Sequence, residues 1–132
     1  MIVVDASVLA NALADDGADG RVARARLTTG DELAAPDLVD VETIAVLRKR
    51  WLAGDLPARR FSDAIDDLED LQLTRYPALA LVHRAFELRD NVTPYDAVYV
   101  ALAERLGCTL VTADQRLAAA PGLGCSVDVL QV

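Results

Sequence analysis

The stretch Thr93 to Asp114, TPYDAVYVALAERLGCTLVTAD, predicts a helix, a tight turn and a buried strand in succession. Its first residue is a suitable N-cap, and the proline that follows fits the first helical position. The helix is apolar around much of its circumference, as in helices packed against a sheet. Gly107 allows the positive φ at which helices often end, and Cys108 to Thr112 predicts a short buried strand. Asp114 then follows the carboxyl end of that strand, where open α/β sheets bind ligands.

The length and composition of the chain indicate a globular protein. Its 132 residues, 53% of them hydrophobic, predict one domain over residues 1–132 with a substantial core. No apolar run approaches the ~20 residues needed to span a bilayer, and the N-terminus lacks the basic segment of a signal peptide. We therefore expect no membrane association and a cytoplasmic location. Cys108 and Cys125 lack CxxC spacing and a histidine partner for zinc, so we expect small buried side chains, with a disulfide as the less favoured alternative.

The formal net charge of −8 restricts the partners of the protein. It argues against non-specific binding to a polyanion, because binding to nucleic acid depends on neutralised phosphates. A nucleic-acid substrate would require metal ions or local basic patches to overcome the repulsion. A basic partner protein would suit this charge better.

The N-terminus repeats the strand-then-acid pattern of the opening stretch. Ile2 to Val4 is a β-branched run that predicts a central buried strand, and residues 6–10 begin a helical pattern. Asp5 therefore lies at a strand-to-helix junction, on the same type of edge as Asp114. Taken alone, Asp5 could be only a helix N-cap, and Ser7 could cap the same helix.

The remaining chain alternates between short strands and helices. A turn is predicted at residues 17–20, helices at 21–29, 37–51, 58–71 and 77–88, and strands at 33–35, 73–76 and 127–130. A short helical turn is also expected after Asp114. This alternation predicts a mostly parallel sheet with helices on both faces.

Four acids stand out by their positions. Asp5 and Asp114 follow predicted strands, whereas Glu42 and Asp96 fall in the first turns of apolar helices. Because the carboxyl ends of parallel strands share one edge, the four carboxylates can meet there. Each also has a simpler explanation, as a cap, a dipole partner or a solvated side chain. The nearby Asp40 is expected to face solvent.

A cluster of four carboxylates predicts a metal site. Like charges packed together are costly, so a cation must compensate them. Oxygen ligands without histidine or cysteine suit Mg²⁺ or Mn²⁺, and such an ion supports phosphodiester hydrolysis. The only histidine, His83, is expected on an exposed helix face, and we assign it no role.

The order of these motifs resembles that of a known family. VVDASVL at the N-terminus, LVDVETIAVLRKR, the opening stretch and the terminal strand together resemble the PIN-domain ribonucleases, and within them the VapC-type toxins of bacterial toxin–antitoxin pairs. The resemblance covers nearly the whole chain. The region from Arg48 to Arg75 is less diagnostic, and we expect it to shape RNA choice or antitoxin binding.

The resemblance implies a fold, an activity and partners. The fold is a compact α/β/α sandwich with a central, mostly parallel sheet. The implied activity is Mg²⁺- or Mn²⁺-dependent cleavage of RNA, with inhibition by a cognate VapB-type antitoxin and homodimerisation. The residues that match the acidic site of the family are Asp5, Glu42, Asp96 and Asp114, and those that match its assisting hydroxyls are Ser7 and Thr112.

Other functions are compatible with parts of the pattern. A non-catalytic PIN-like scaffold that binds a partner would keep the fold and could keep the acids. A phosphoacceptor domain normally needs paired acids after the first strand and a late lysine, but Asp5 is followed by Ala6 and Ser7, and the only lysine is Lys49. An Asp-x-Asp phosphatase is excluded because Ser7 stands where the second aspartate of that motif would be. A Walker-type nucleotide site is excluded because the chain has no glycine-rich phosphate loop.

Overall fold

A single parallel sheet forms the centre of the protein. The computed structural model describes residues 1–132 and contains five strands in the order β3-β2-β1-β4-β5. The strands are β1 (Ile2–Val4), β2 (Leu33–Pro36), β3 (Thr74–Tyr76), β4 (Thr109–Thr112) and β5 (Val127–Val129). Every neighbouring pair is parallel, as the alternation of elements predicted.

Seven α-helices flank the sheet. They are α1 (Ala6–Ala14), α2 (Ala18–Leu27), α3 (Val39–Leu52), α4 (Ala58–Asp70), α5 (Val82–Glu87), α6 (Pro94–Leu106) and α7 (Gln115–Ala119), with a 3₁₀ turn at Ala78–Leu81. The chain moves outward from β1 to β3 and then returns across the sheet to β4. Because parallel crossovers are right-handed, this reversal places the connecting helices on opposite faces. No helix has the length and apolarity that crossing a membrane requires.

The core lies around the three inner strands, β2, β1 and β4, and the helix that covers them. Val3, Val4, Leu110 and Val111 are completely buried, because strands in the middle of a parallel sheet are covered on both faces. Residues 97–103 of α6 are all buried as well. This burial explains why the helix is apolar around most of its circumference.

The ends of α6 agree with the sequence-based prediction. The hydroxyl of Thr93 accepts a hydrogen bond from the backbone N–H of Asp96 at 3.2 Å, and Pro94 is the first helical residue. Gly107 ends the helix with a φ of 64°, in the left-handed region that favours glycine. Because α6 ends at Gly107, β4 can begin at Thr109, and Asp114 follows the carboxyl end of that strand.

The second helix begins earlier than predicted. A turn was expected at residues 17–20 and a helix from Arg21, but α2 starts at Ala18. The carboxylate of Asp15 accepts hydrogen bonds from the N–H groups of Gly17 (2.7 Å) and Gly20 (3.3 Å), which stabilises the first turn. A Cβ atom at Gly20 would lie 1.7 Å from the carbonyl oxygen of Asp15, so this close approach requires glycine.

The predicted helix over residues 77–88 is divided into two parts. The 3₁₀ turn occupies Ala78–Leu81, and α5 is confined to six residues. Asp37 contacts the start of the 3₁₀ turn, and its own hydrogen bonds account for the late start of α3 at Val39. Its N–H donates to the carbonyl of Tyr76 at 2.8 Å, and its carboxylate accepts from the N–H of Ala78 at 3.1 Å. Asp37 therefore joins the loops after β2 and β3 instead of entering a helix.

The two cysteines lie at the amino ends of neighbouring strands. Cys108 precedes β4 and Cys125 precedes β5, and both thiols are free and only partly buried. Burial raises the pKa of each thiol. Both lie at the edge of the sheet opposite to the acids, and the expectation of buried cysteines is therefore met only in part.

Candidate active site

Asp5 is both a helix cap and a buried acid at the sheet edge. It follows β1, is 8% exposed, and caps α1 by accepting a hydrogen bond from the N–H of Val8 at 3.2 Å. The same carboxylate accepts hydrogen bonds from the hydroxyls of Ser7, at 2.6 Å, and Thr112. These contacts fix its orientation toward the solvent-facing edge of the sheet.

The hydroxyls of Ser7 and Thr112 connect the ends of β1 and β4. The Ser7 Oγ atom accepts from the N–H of Ala113 at 3.2 Å, and the Thr112 Oγ1 atom accepts from the N–H of Asp114 at 3.0 Å. Each hydroxyl therefore donates to Asp5 and accepts from the loop that carries Asp114. This geometry makes them positioning groups for the acids, and their assistance to metal or phosphate binding stays a prediction.

Glu42 is held in place from the other side of the cleft. It lies in the first turn of α3, and its Oε1 atom accepts a hydrogen bond from the Tyr99 hydroxyl at 2.7 Å. Tyr99 is 2% exposed and comes from α6. Sequence reasoning missed Tyr99, although its position three residues after Asp96 places it on the same face of that helix.

Asp96 and Asp114 complete the set of acids. Asp96 lies in the first turn of α6, where Thr93 supplies the cap. Asp114 is the N-cap of α7 and accepts a hydrogen bond from the N–H of Arg116 at 2.9 Å. The side chain of Arg116 also lies 3.4 Å from the Asp114 carboxylate.

The four predicted acids line one open cleft. The cleft has a volume of about 440 Å³. Its walls are formed by Asp5, Ala6, Ser7, Glu42, Ala45, Val46, Tyr95, Asp96, Tyr99 and Asp114. The structure thus brings together side chains that are separated by up to 109 positions (114 − 5) in the sequence.

Burial raises the pKa of three of these carboxylates, and repulsion by neighbouring acids adds to it for Glu42 and Asp96. Burial raises the pKa of Asp5, against the opposing effect of its hydrogen bonds. Burial also raises the pKa of Glu42, with smaller contributions from the charges of Asp96 and Asp5. The pKa of Asp96 is raised by burial first, and then by Asp5 and Asp114. The acids are therefore close enough to repel one another.

The donor set is consistent with a hard divalent cation. The cleft offers carboxylate and hydroxyl oxygens and contains no histidine or cysteine, which favours Mg²⁺ or Mn²⁺ over softer metals. No group of three or more potential ligands is arranged in the structure as a ready-made metal site. A bound cation would therefore complete its coordination with water or substrate oxygens, as Mg²⁺ commonly does.

Two residues excluded by sequence reasoning lie outside the cleft. Asp40 forms a two-point ion pair with Arg75, with distances of 2.7 and 2.9 Å. His83 is exposed on α5. Neither residue lines the acidic cleft, and Asp40, which was expected to face solvent, is partly buried in its ion pair with Arg75.

Comparison with known proteins identifies the class to which this fold and cleft belong. The family model of the PIN domain matches residues 2–123. Ribonuclease VapC1 of Mycobacterium tuberculosis is 42% identical over 130 residues, which cover 98% of this chain and 97% of the relative. Ribonuclease VapC9 of the same organism is 42% identical over 131 residues, with 98% of each chain covered. The chain belongs to the PIN-domain family and, within it, to the VapC ribonucleases.

Solved structures show the same fold. The crystal structure of Mycobacterium tuberculosis VapC20, described as a Sarcin-Ricin loop cleaving toxin, aligns with a TM-score of 0.73 at 18% identity, covering 96% of this chain and 99% of that one. VapBC2 from Rickettsia felis, bound to a DNA fragment from its promoter, aligns with a TM-score of 0.66 at 13% identity, covering 99% and 100%. The expected α/β/α sandwich is confirmed.

Proposed function

We propose that this protein is a metal-dependent endoribonuclease that acts as the toxin of a type II toxin–antitoxin pair. In this proposal Mg²⁺ or Mn²⁺ is held by carboxylates from the set Asp5, Glu42, Asp96 and Asp114. The observation that carries the proposal is the convergence of these four acids, from four separate segments, in one cleft of a VapC-family chain. Repulsion between Asp96 and its neighbours Asp5 and Asp114 opposes this arrangement, and a bound cation would offset it.

Each part of the site has a chemical role in the proposed reaction. When bound, the cation would lower the pKa of a water ligand and offset charge on the phosphate. Asp5 is held by the hydroxyls of Ser7 and Thr112 and is therefore suited to bind the cation in a fixed position. Glu42 is oriented by the Tyr99 hydroxyl. A carboxylate of the cleft that does not bind the cation is placed to accept a proton from the attacking water.

The proposal is tested by cleavage of a labelled, single-stranded RNA. We expect cleavage with Mg²⁺ or Mn²⁺ and none with EDTA, and Asp5→Asn and Asp96→Asn should each lose at least about 100-fold in rate, a typical cost of removing a key electrostatic group. Asp63→Asn is the matched control, because Asp63 is exposed on α4. Full cleavage in EDTA or by Asp96→Asn would contradict the proposal. Binding without turnover would favour the non-catalytic scaffold.

The partners proposed for the protein are an RNA substrate, a VapB-type antitoxin and a second copy of the chain. Large apolar side chains are exposed on α3 and around α5, namely Val41, Ile44, Trp51, Leu79, Val82 and Phe86. Their spacing along each segment places them on one side, which suits burial against another protein. We further propose that the antitoxin places an arginine or lysine near the acids and so excludes the metal.

The proposed assembly is tested by light scattering and co-purification. We expect a dimer at tens of micromolar and inhibition of cleavage by the product of a neighbouring gene that encodes a small basic protein. A monomer that this product does not inhibit would contradict the proposed assembly.

A further inference from the structure

A second cleft adjoins the acidic one. It has a volume of about 490 Å³ and shares Asp96 and Asp114 with its neighbour. Its remaining wall is formed by the loop of residues 89–94 and by α7. Two arginines, Arg89 and Arg116, lie in this wall. The same wall contains the exposed Asp90, so the second cleft is positively charged at its two arginines and not over its whole surface.

These two arginines are the ones available for a ligand at the site. Arg116 is 92% exposed at its side chain, and its single ionic contact is the 3.4 Å approach to Asp114. Arg89 is exposed and forms no ion pair. In contrast, closer ion pairs occupy Arg26, Arg60, Arg75 and Arg84. Arg89 and Arg116 could thus each bind a phosphate without breaking a close ion pair.

Arg89 is held in position without being covered. Its guanidinium lies 4.1 Å from the centroid of the Phe86 ring, and its Nη1 atom donates to the carbonyl of Phe86 at 3.0 Å. A cation stacked on an aromatic ring has fewer orientations to lose on binding. The exposed edge of the guanidinium can still form the two-point hydrogen bonds that phosphate accepts.

We infer that Arg89 and Arg116 each bind a backbone phosphate of the RNA near the bond that is cleaved. The strand then passes from this second cleft across Asp96 and Asp114 into the acidic cleft. The inference rests on the proposed ribonuclease function. It also explains how a chain with a net charge of −8 holds a polyanion, because local cations replace a generally basic surface.

Binding and kinetics of arginine variants test this inference. Anisotropy of a fluorescein-labelled single-stranded RNA is measured in EDTA between 50 and 300 mM salt, and cleavage is measured in Mg²⁺. Arg89→Ala and Arg116→Ala should each weaken binding about fivefold and reduce the salt slope by roughly 0.7, the value for one phosphate contact on a single strand. Arg89→Ala should raise KM with little change in kcat, and Arg89→Lys should retain the salt slope.

Arg59→Ala is the matched control, because Arg59 is an exposed arginine on α4 outside both clefts. It removes the same charge and should change binding less than twofold. If wild type cleaves RNA but Arg89→Ala and Arg116→Ala match Arg59→Ala, the inference is wrong and the ribonuclease proposal stands. If wild type neither binds nor cleaves RNA, both fail. Thermal unfolding of each variant identifies any loss of RNA binding or cleavage that arises from misfolding.

Discussion

Individual residues of the cleft serve the fold and the site together. Asp5 caps α1 and also lines the cleft, so its simpler interpretation as an N-cap was correct but incomplete. Thr112 also serves both the fold and the site, because it is the last residue of β4 and its hydroxyl donates a hydrogen bond to Asp5. The positions of the four acids could be predicted from the ends of strands and helices. Tyr99 could not, because its partner Glu42 is 57 residues away.

Because the pKa of Asp96 is raised, we expect its ionisation to lower the free energy of unfolding of the metal-free protein. Burial, Asp5 and Asp114 all disfavour its charged form, so the folded state keeps a proton that the unfolded state has released. Stability should therefore fall as pH rises from the unfolded pKa through the higher folded pKa. In EDTA, Asp96→Asn should be more stable than wild type by on the order of 0.5–1 kcal/mol at pH 7, and by less near pH 4.

Urea unfolding at both pH values measures this effect. Asp114→Asn is a useful comparison, because it weakens the cap of α7 and the contact with Arg116 and should gain less stability. A destabilised Asp96→Asn at pH 7 in EDTA would show that the acids do not repel one another appreciably.

The Tyr99 hydroxyl predicts a shift in the pH dependence of activity. Its hydrogen bond lowers the pKa of Glu42, against the larger effect of burial. Tyr99→Phe should therefore raise the pKa of Glu42 and move the ascending limb of the kcat/KM profile to higher pH. Tyr95→Phe is the matched control, because Tyr95 lines the same cleft and is 64% exposed. Identical profiles for the two variants would exclude a role for the Tyr99–Glu42 bond in the reaction.

At the scale of elements, a helix was predicted correctly where the residues that begin and end it are its neighbours in the sequence. The bounds of α6 followed from Thr93, Pro94 and Gly107, all adjacent in sequence to the helix. The helix predicted over residues 77–88 was wrong in its first turn. Its start is determined by Asp37, whose carboxylate bonds Ala78 from another loop, and no local pattern reveals this contact.

One ion pair connects three segments near the C-terminal end of α6. The Glu104 carboxylate accepts from Arg84 at 2.7 and 3.0 Å and from the N–H of Gly124 at 2.6 Å. Arg84 lowers the pKa of Glu104, so the stabilisation is present above the unfolded pKa and is lost as pH falls through the folded pKa. Glu104→Gln should cost about 1–2 kcal/mol at pH 7, a typical value for charged hydrogen bonds.

Chemical denaturation at pH 7 and at acidic pH checks this prediction. The difference in free energy of unfolding between Glu104→Gln and wild type should be smaller at the lower pH. Glu69→Gln is the control, because Glu69 is exposed on α4. Equal stability of Glu104→Gln and wild type at pH 7 would mean that the ion pair contributes nothing.

At the scale of the whole molecule, the parallel sheet converts separated residues into one site. The alternation of strands and helices predicted the parallel sheet, and the edge rule predicted where Asp5 and Asp114 lie. The strand order could not be obtained in the same way, because pairing between strands depends on contacts across the chain. The placement of Arg89 beside the acids was missed for the same reason, since only the folded chain brings its loop to α7.

The most direct test of this account is a Mn²⁺ titration that follows the electron paramagnetic resonance signal of the free ion. The central claim is that carboxylates from the set Asp5, Glu42, Asp96 and Asp114 bind a hard divalent cation. Wild type should bind Mn²⁺, Asp5→Asn and Asp96→Asn should each weaken binding by about tenfold or more, as expected when a charged ligand is removed, and the exposed Asp63→Asn should match wild type. Equal Mn²⁺ binding by all four proteins, or no binding by wild type at millimolar Mn²⁺, would contradict the claim.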